Sequence, residues 1–276
     1  MARVVALIPA GGIGARLGSR IPKQFLALGG APVLVATVGH FVRHPEVDAV
    51  IVAAPGAHVD RARRLLARYR RRAIVTVVSG GRTRQESVWL ALQAAPPGAR
   101  LILVHDAVRP FITRALIDAV LGAARRSAAA VCALPVTETV KRVRGDLVEA
   151  TVDRTGLWTV QTPQAFRADV LREAHDKARR DGAEATDDAS LVERLGHPVS
   201  VVRGLEANLK ITTPEDLRRA RRVAMPRLQF ASRAVRPRKP ASPTPVQRRR
   251  VPPGAGHPRS EPASPTPVQR RRVPPG

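Results

Sequence analysis

The chain has 276 residues, with 47 lysines and arginines against 22 acids, a net charge of +25. Its 44% hydrophobic content supplies a core for one large domain or two small ones and excludes a wholly disordered chain. A lone cysteine, Cys132, excludes an internal disulfide and a cysteine-built metal site. It sits in the apolar run Ala128 to Leu134 and reads as a buried small hydrophobe. No apolar run approaches the ~18 residues of a membrane span. The first strand begins at Val4, leaving no room for a signal peptide, so the expectation is a soluble cytoplasmic protein.

Val4 to Ile8 is a continuous apolar run of strand length, suited to a parallel strand covered on both faces. A loop with Gly11, Gly12, Gly14 and Gly18 follows, and Arg16 and Lys23 lie within its reach. Successive backbone N–H groups in such a loop form an anion site, and the two cations suit a polyphosphate. No Gly-Lys-Ser/Thr follows, so this is not a Walker loop. Leu17 stands where a dinucleotide fingerprint needs its third glycine. An ordinary surface turn is the plain alternative.

Further strands are predicted at Val47 to Ala53, Ala73 to Val78, Leu101 to Val104 and Ala129 to Leu134. Helical patterns fall between them at Pro32 to Val42, His58 to Tyr69, Arg84 to Ala94 and Arg114 to Arg126. This alternation predicts a Rossmann-like α/β fold, a mostly parallel sheet with helices on both faces. Ligands then bind beyond the carboxyl ends of the strands. Ser79 to Val88 follows one such end, with Gly80 and Gly81 able to approach a base or ribose, or to serve only as a turn capped by Thr83 or Ser87. His105 and Asp106 follow the next. An aspartate there can hold Mg²⁺ or another divalent cation against substrate phosphates, or cap a turn. His105 reads as locally hydrogen-bonded.

The segment Val136 to Leu157 breaks the rhythm and reads as a β-hairpin arm with its tip at Gly145-Asp146. Such an arm needs a partner surface or must fold back on its own domain. Gln161 to Phe166 leads into a helix near Ala168 to Arg179. Another helix starts at Thr186-Asp187-Asp188, whose acids could cap it or hold metal. Val199 to Val202 is a late strand. Thr213-Pro214-Glu215-Asp216 starts a helix expected to end near Val223, closing a folded domain over 1–225.

Residues 226–276 form a basic, proline-rich tail with twelve lysines and arginines against one acid, Glu261. Pro240 to Gly254, PASPTPVQRRRVPPG, recurs unchanged at Pro262 to Gly276. The tail cannot bury a core and is expected to be disordered. Its arginine runs could bind nucleic acid or anionic lipid weakly, and its prolines a polyproline groove. A duplication without function or a reading-frame artefact are the other readings. The rest of the excess charge is mostly arginine on helix faces, such as Arg61, Arg63, Arg64 and Arg68, and matches a coding bias or a small polyanionic substrate.

PAGGIGARLG with PKQFL resembles the signature of sugar-nucleotide-type nucleotidyltransferases. With GGRTRQESV, HDAVRP, VDRTGLWTVQTPQAF, TDDASLVE and NLKITTPEDL in order, residues Val4 to Arg222 resemble the 2-C-methyl-D-erythritol 4-phosphate cytidylyltransferase family. The departures are small: Gly11 where alanine is common, and HDAVRP where HDAARP is. The resemblance implies transfer of CMP from CTP to 2-C-methyl-D-erythritol 4-phosphate in non-mevalonate isoprenoid synthesis. It places Ala10, Gly11, Gly12, Gly14, Gly81 and Ser87 on CTP, with Arg16 and Lys23 on the triphosphate and transition state. Asp106 becomes the magnesium-associated aspartate, and Asp106 and Lys210 join Arg16 and Lys23 as catalytic residues. Arg109, Thr139, Arg154, Thr162, Thr186 and Lys210, beside Asp106, fall around the polyol phosphate. The resemblance also implies a homodimer through the 136–157 arm. The alternatives are a related enzyme acting on another polyol or sugar phosphate, such as ribitol 5-phosphate, and a nucleic-acid-binding protein acting through the tail.

Overall fold

The computed structural model of the chain describes residues 3–12, 21–69 and 74–233, with side chains to Ala224. These lie in one compact unit, Met1–Val235. Gly14, Arg16, Gly18 and the duplicated tail segments lie outside the described residues, and so do the expectations placed on them.

In chain order the elements begin with β1 (Val4–Pro9), the short pair β2 (Ala27–Leu28) and β3 (Ala31–Pro32), and α1 (Val33–Val42). Then come β4 (Ala49–Ala54), α2 (Val59–Leu66), β5 (Ile74–Ser79), α3 (Arg84–Gln93), β6 (Leu101–Val104) and α4 (Arg114–Ser127). The second half holds β7 (Ala129–Pro135), β8 (Val140–Arg144), β9 (Leu147–Val152), β10 (Trp158–Arg167) and α5 (Ala168–Arg180). It ends with α6 (Asp188–Glu193), β11 (Val199–Arg203) and α7 (Pro214–Arg233). Seven strands form one sheet in the order β11-β7-β10-β6-β1-β4-β5.

Every residue of β1 is buried, as its unbroken apolar run requires. Val4, Ala6 and Ile8 face a core built with Phe41 of α1, Leu66 of α2 and Ile117 of α4. Val5 and Leu7 face the opposite core, with Leu92 of α3, Leu171 of α5 and Val192 of α6. Period-two alternation along one strand thus divides the helices between two faces. β1 pairs in parallel with β4 and β6, and β4 with β5, so their carboxyl ends open on one edge.

The sheet departs from the sequence reading at β10. Gln161 to Phe166 was expected only to lead into a helix, yet Trp158–Arg167 is a strand antiparallel to both β6 and β7. Gln161, Thr162 and Gln164 hide the strand, because they are polar yet buried. Their side chains bond to neighbouring segments instead of facing water, and a register shift between Gln161 and Gln164 breaks the alternation.

A third core holds Leu28, Val33, Val108, Phe111, Ile211 and Leu217 together. It seats α7 over the unexpected hairpin of β2 and β3, whose turn residues Gly29 and Gly30 both have positive φ, as a type I′ turn demands. Helix α7 starts as expected: Thr213 accepts the Asp216 N–H, and Asp216 accepts the N–H groups of Thr212 and Thr213. It runs on to Arg233, ten residues past the expected Val223, passing through Pro226, a residue that weakens a helix without having to end it.

The arm stands as a two-stranded sheet of its own, β8 against β9. Gly145, with φ +59°, is the first of its two turn residues, the position where a type II′ hairpin takes glycine. Val143, Leu147 and Val148 on the arm and Trp158 beyond it are exposed, Leu147 to 77%.

Phe166 is fully buried where β10 meets β6 and β7. Phe166→Ala is expected to lose about 3–5 kcal/mol of stability in urea unfolding, and a loss below about 1 kcal/mol would contradict this placement of β10.

Candidate active site

The carboxyl ends of β1, β4, β5 and β6 surround a cleft of about 500 Å³. The glycine loop enters it directly. Ala10 N–H donates to Ala53 O at 2.8 Å, extending the β1 ladder. Gln24, itself buried, donates to Ala10 O at 2.5 Å and holds the short turn Lys23–Phe25 against the loop. This sets Lys23 beside Gly12, where an added Cβ would lie 3.6 Å from its Cε.

The second loop is held as tightly. Thr83 caps α3 by accepting the Glu86 N–H at 3.0 Å, while Glu86 reaches back to the Arg82 N–H at 2.7 Å. Ser87 accepts from Gly81 N–H at 3.1 Å and donates to Thr83 O at 2.9 Å. Its hydroxyl would sit 3.0 Å from a Cβ on Gly11 or on Gly80. Small residues therefore let the two loops approach across Ser87.

Asp106 stands at the end of β6, 6% exposed, among three cations. Arg84 Nε lies 3.2 Å from its Oδ1, Lys210 Nζ 2.9 Å from its Oδ2, and Arg109 Nε 3.6 Å from Oδ2. Burial alone would raise its pKa; Arg84, Lys210 and Arg109 outweigh that and hold the carboxyl well below its usual range. Lys210 reaches this place because Ile211 N–H donates to Val108 O at 2.9 Å, stitching the segment before α7 to the Asp106 turn. Asp106 is the one carboxylate among the described residues lining the cleft.

Behind Asp106 a hydrogen-bonded network sets the backbone. His105 Nε2 lies 3.0 Å from Arg109 O, and a carbonyl can only accept, so Nε2 carries the proton. Nδ1 then accepts from the Thr162 hydroxyl at 3.1 Å, and the Thr162 oxygen accepts the Asp106 N–H at 3.0 Å. Asn208 donates to Thr162 O at 2.8 Å and Arg109 Nη1 donates to Asn208 O at 2.7 Å.

The cleft thus gathers Ala10, Gly11, Gly12, Lys23, Gly81, Ser87, Asp106 and Lys210 from the sequence-derived set. Arg109 and Thr162 sit behind Asp106 and position it, in place of lining the described cleft. Thr139 and Arg154 are exposed at the base of the arm, where Arg154 bonds Thr137 O, and Thr186 is exposed ahead of α6. None of these three lines the cleft within this chain. Asp187 caps α6 through the Ser190 N–H at 3.0 Å, and Asp188 ion-pairs with Arg84, so both acids have partners in the protein.

Sequence reasoning missed Arg84. The capping pair Thr83 and Glu86 was the available signal, since it fixes Arg84 as the first residue of a helix that starts at a strand's carboxyl end. Cys132 is buried as expected, and burial pushes its thiol up to about 12. A larger cavity, about 760 Å³, lies at the opposite end of the sheet. Charged side chains there pair with one another, Arg125 with Glu46 and Arg167 with Asp169, and of the strands only the antiparallel β10 ends at it, in Arg167.

The family model described as IspD: 2-C-methyl-D-erythritol 4-phosphate cytidylyltransferase matches residues 4–225. A 2-C-methyl-D-erythritol 4-phosphate cytidylyltransferase of Symbiobacterium thermophilum is 49% identical over 218 residues, 79% of this chain and 91% of that protein. One from Salinibacter ruber is 46% identical over 213 residues, 77% of this chain and 89% of that protein. Among solved structures, the cytidylyltransferase of Thermus thermophilus matches with a TM-score of 0.67 and 41% identity, covering 80% of this chain and 98% of that one. The 4-diphosphocytidyl-2C-methyl-D-erythritol synthase of Anaerococcus prevotii matches with a TM-score of 0.71 and 30% identity, covering 81% and 98%.

Complete burial pulls the pKa of His105 down to about 4 from 6.5. The unfolded chain therefore takes this proton first as the pH falls. Stability from neutral His105 is whole above about pH 6.5 and is lost toward pH 4, by about 3 kcal/mol in all. Urea unfolding across that range should show wild type losing more stability than His105→Asn by that amount, and parallel pH profiles would contradict it.

Proposed function

This chain belongs to the 2-C-methyl-D-erythritol 4-phosphate cytidylyltransferase family, and from that premise we propose how its own side chains divide the work. It is a nucleotidyltransferase that transfers CMP from CTP to 2-C-methyl-D-erythritol 4-phosphate and releases pyrophosphate, in the non-mevalonate isoprenoid route. The observation that carries the assignment of roles is the buried Asp106 held among Arg84, Arg109 and Lys210 beside a loop of glycines and Lys23.

In the transfer, an oxygen of the acceptor's phosphate attacks the α-phosphorus of CTP, and the bond to the bridging oxygen of the leaving pyrophosphate breaks. The attacking group is already anionic, so no covalent nucleophile or strong base is required. Negative charge concentrates on the non-bridging oxygens and the leaving group, and positioned donors stabilise it. Backbone N–H groups of Gly11 and Gly12 and the Lys23 ammonium serve the triphosphate; Arg16 joins them by the motif match. Gly81 and Ser87 take the cytidine side. Lys210 draws the acceptor's phosphate toward the α-phosphorus, and Asp106 holds Lys210 while accepting from the acceptor's hydroxyls.

Mg²⁺ keeps most of its water and binds through one or two carboxylates plus substrate phosphates. Asp106 is the one carboxylate that the described cleft offers such an ion, and it would share its oxygens between the ion and the cations Arg84 and Lys210. Asp106 with the triphosphate oxygens would hold the ion, which supplies charge neutralisation on the phosphates.

The exposed apolar residues of the arm support a homodimer, and Thr139 and Arg154 at its base support completion of the neighbouring site across that interface. Thr186 remains assigned to the polyol side by the motif match alone. No described helix is long and apolar enough to cross a membrane. Both substrates are water-soluble, and we assign the reaction to the cytoplasm.

Pyrophosphate release by the purified protein tests the assignment. CTP with methylerythritol phosphate should exceed every other nucleotide and polyol phosphate, ribitol 5-phosphate included. Lys23→Ala should lower kcat about 100-fold, near 3 kcal/mol, on the scale of a lost oxyanion donor. Equal release with other pairs, or an unchanged Lys23→Ala, would overturn it. Leu147→Asp with Val148→Asp should convert a dimer to a monomer in analytical ultracentrifugation, and a monomeric wild type would reject the interface.

A further inference from the structure

Arg84 stands where two carboxylates meet. It opens α3, and its guanidinium reaches Asp106 Oδ1 through Nε at 3.2 Å and Asp188 Oδ2 through Nη1 at 2.8 Å. Asp188 is 1% exposed and is anchored in turn by His175 of α5, whose Nε2 lies 3.0 Å from Asp188 Oδ1. One rigid fork thus ties α3, α5 and α6 to the end of β6. A lysine could not do this, because an ammonium is a point charge without the planar geometry that spans two acceptors. The far oxygen of Asp106 meets Lys210. Arg84 also lines the cleft.

We propose that Arg84 is a positioning residue for CMP transfer: clamped by Asp188, it fixes the orientation of Asp106, and Asp106 fixes Lys210 against the reacting phosphates. This rests on the cytidylyltransferase reading and deepens it. The plain alternative is that Arg84 only neutralises the buried Asp188. Under either view Arg84→Gln costs stability, because it leaves Asp188 buried without its cation.

The double variant Arg84→Gln with Asp188→Asn separates the two. It leaves no unpaired charge at Asp188, so the melting temperature should recover most of what Arg84→Gln lost. Asp106 Oδ1 still lacks its partner, so kcat should stay at least about 10-fold below wild type, since small misplacements of reacting groups cost up to about 100-fold. KM for CTP should change less than about threefold, because the loss falls on the transition state. Arg84→Lys keeps a charge beside Asp188 and serves where the double variant does not fold; it should show the same fall in kcat with little change in KM. Recovery of kcat together with stability in the double variant, or wild-type kcat in Arg84→Lys, would overturn the proposal. A wild-type protein that releases no pyrophosphate from CTP and methylerythritol phosphate would instead overturn the reading beneath it.

Discussion

A carboxylate taken out of water and faced by three cations is the constraint on which the rest of the molecule depends. Burial alone would drive Asp106 toward its neutral form, and Arg84, Arg109 and Lys210 without it would repel one another. Together they are tolerable, and the carboxyl stays charged. Cations gathered in one cleft need such a counter-charge. Asp106 supplies it from the turn two residues past β6, whose backbone is held by Thr162 and by the Ile211–Val108 bond.

Apart from Arg109, three residues on, the partners of Asp106 come from far apart in the chain, and each arrives through a different local device. Arg84 is delivered by the Thr83 cap at the start of α3. Lys210 is delivered by the Ile211–Val108 bond and by the apolar core under α7. The Asp106 backbone is held by Thr162, on a strand running against all its neighbours. That antiparallel insertion brings polar Gln161, Thr162 and Gln164 into the sheet's interior, where they brace the neighbouring loops. Stability and positioning share the same hydrogen bonds here, so changes at this edge of the sheet fall on both.

Much of this was legible in the sequence because burial leaves a period. β1, β4, β6 and β7 are apolar without interruption, and α4 and α5 repeat at helical spacing, so their existence and order could be read directly. The loop after β1 announced itself by its glycines, and Asp106 by following a buried strand. β10 could not be read this way: its burial is satisfied by side-chain hydrogen bonds, which no local pattern displays. The hairpin of β2 and β3 hid for a different reason, being only two residues a side around Gly29-Gly30. Arg84 was concealed among many arginines, since only the fold shows which one meets two acids. Thr139, Arg154 and Thr186 rest on motif matches alone, because nothing within one chain brings them to the cleft.

The most direct test of the central claim is equilibrium urea unfolding of Asp106→Asn beside wild type near neutral pH. If Asp106 is the counter-charge that holds this edge together, the isosteric change leaves Arg109 and Lys210 uncompensated and Arg84 with Asp188 alone, and should cost about 3 kcal/mol. A variant as stable as wild type, or more stable, would show that the cations are held apart by other means and that Asp106 does not organise the site.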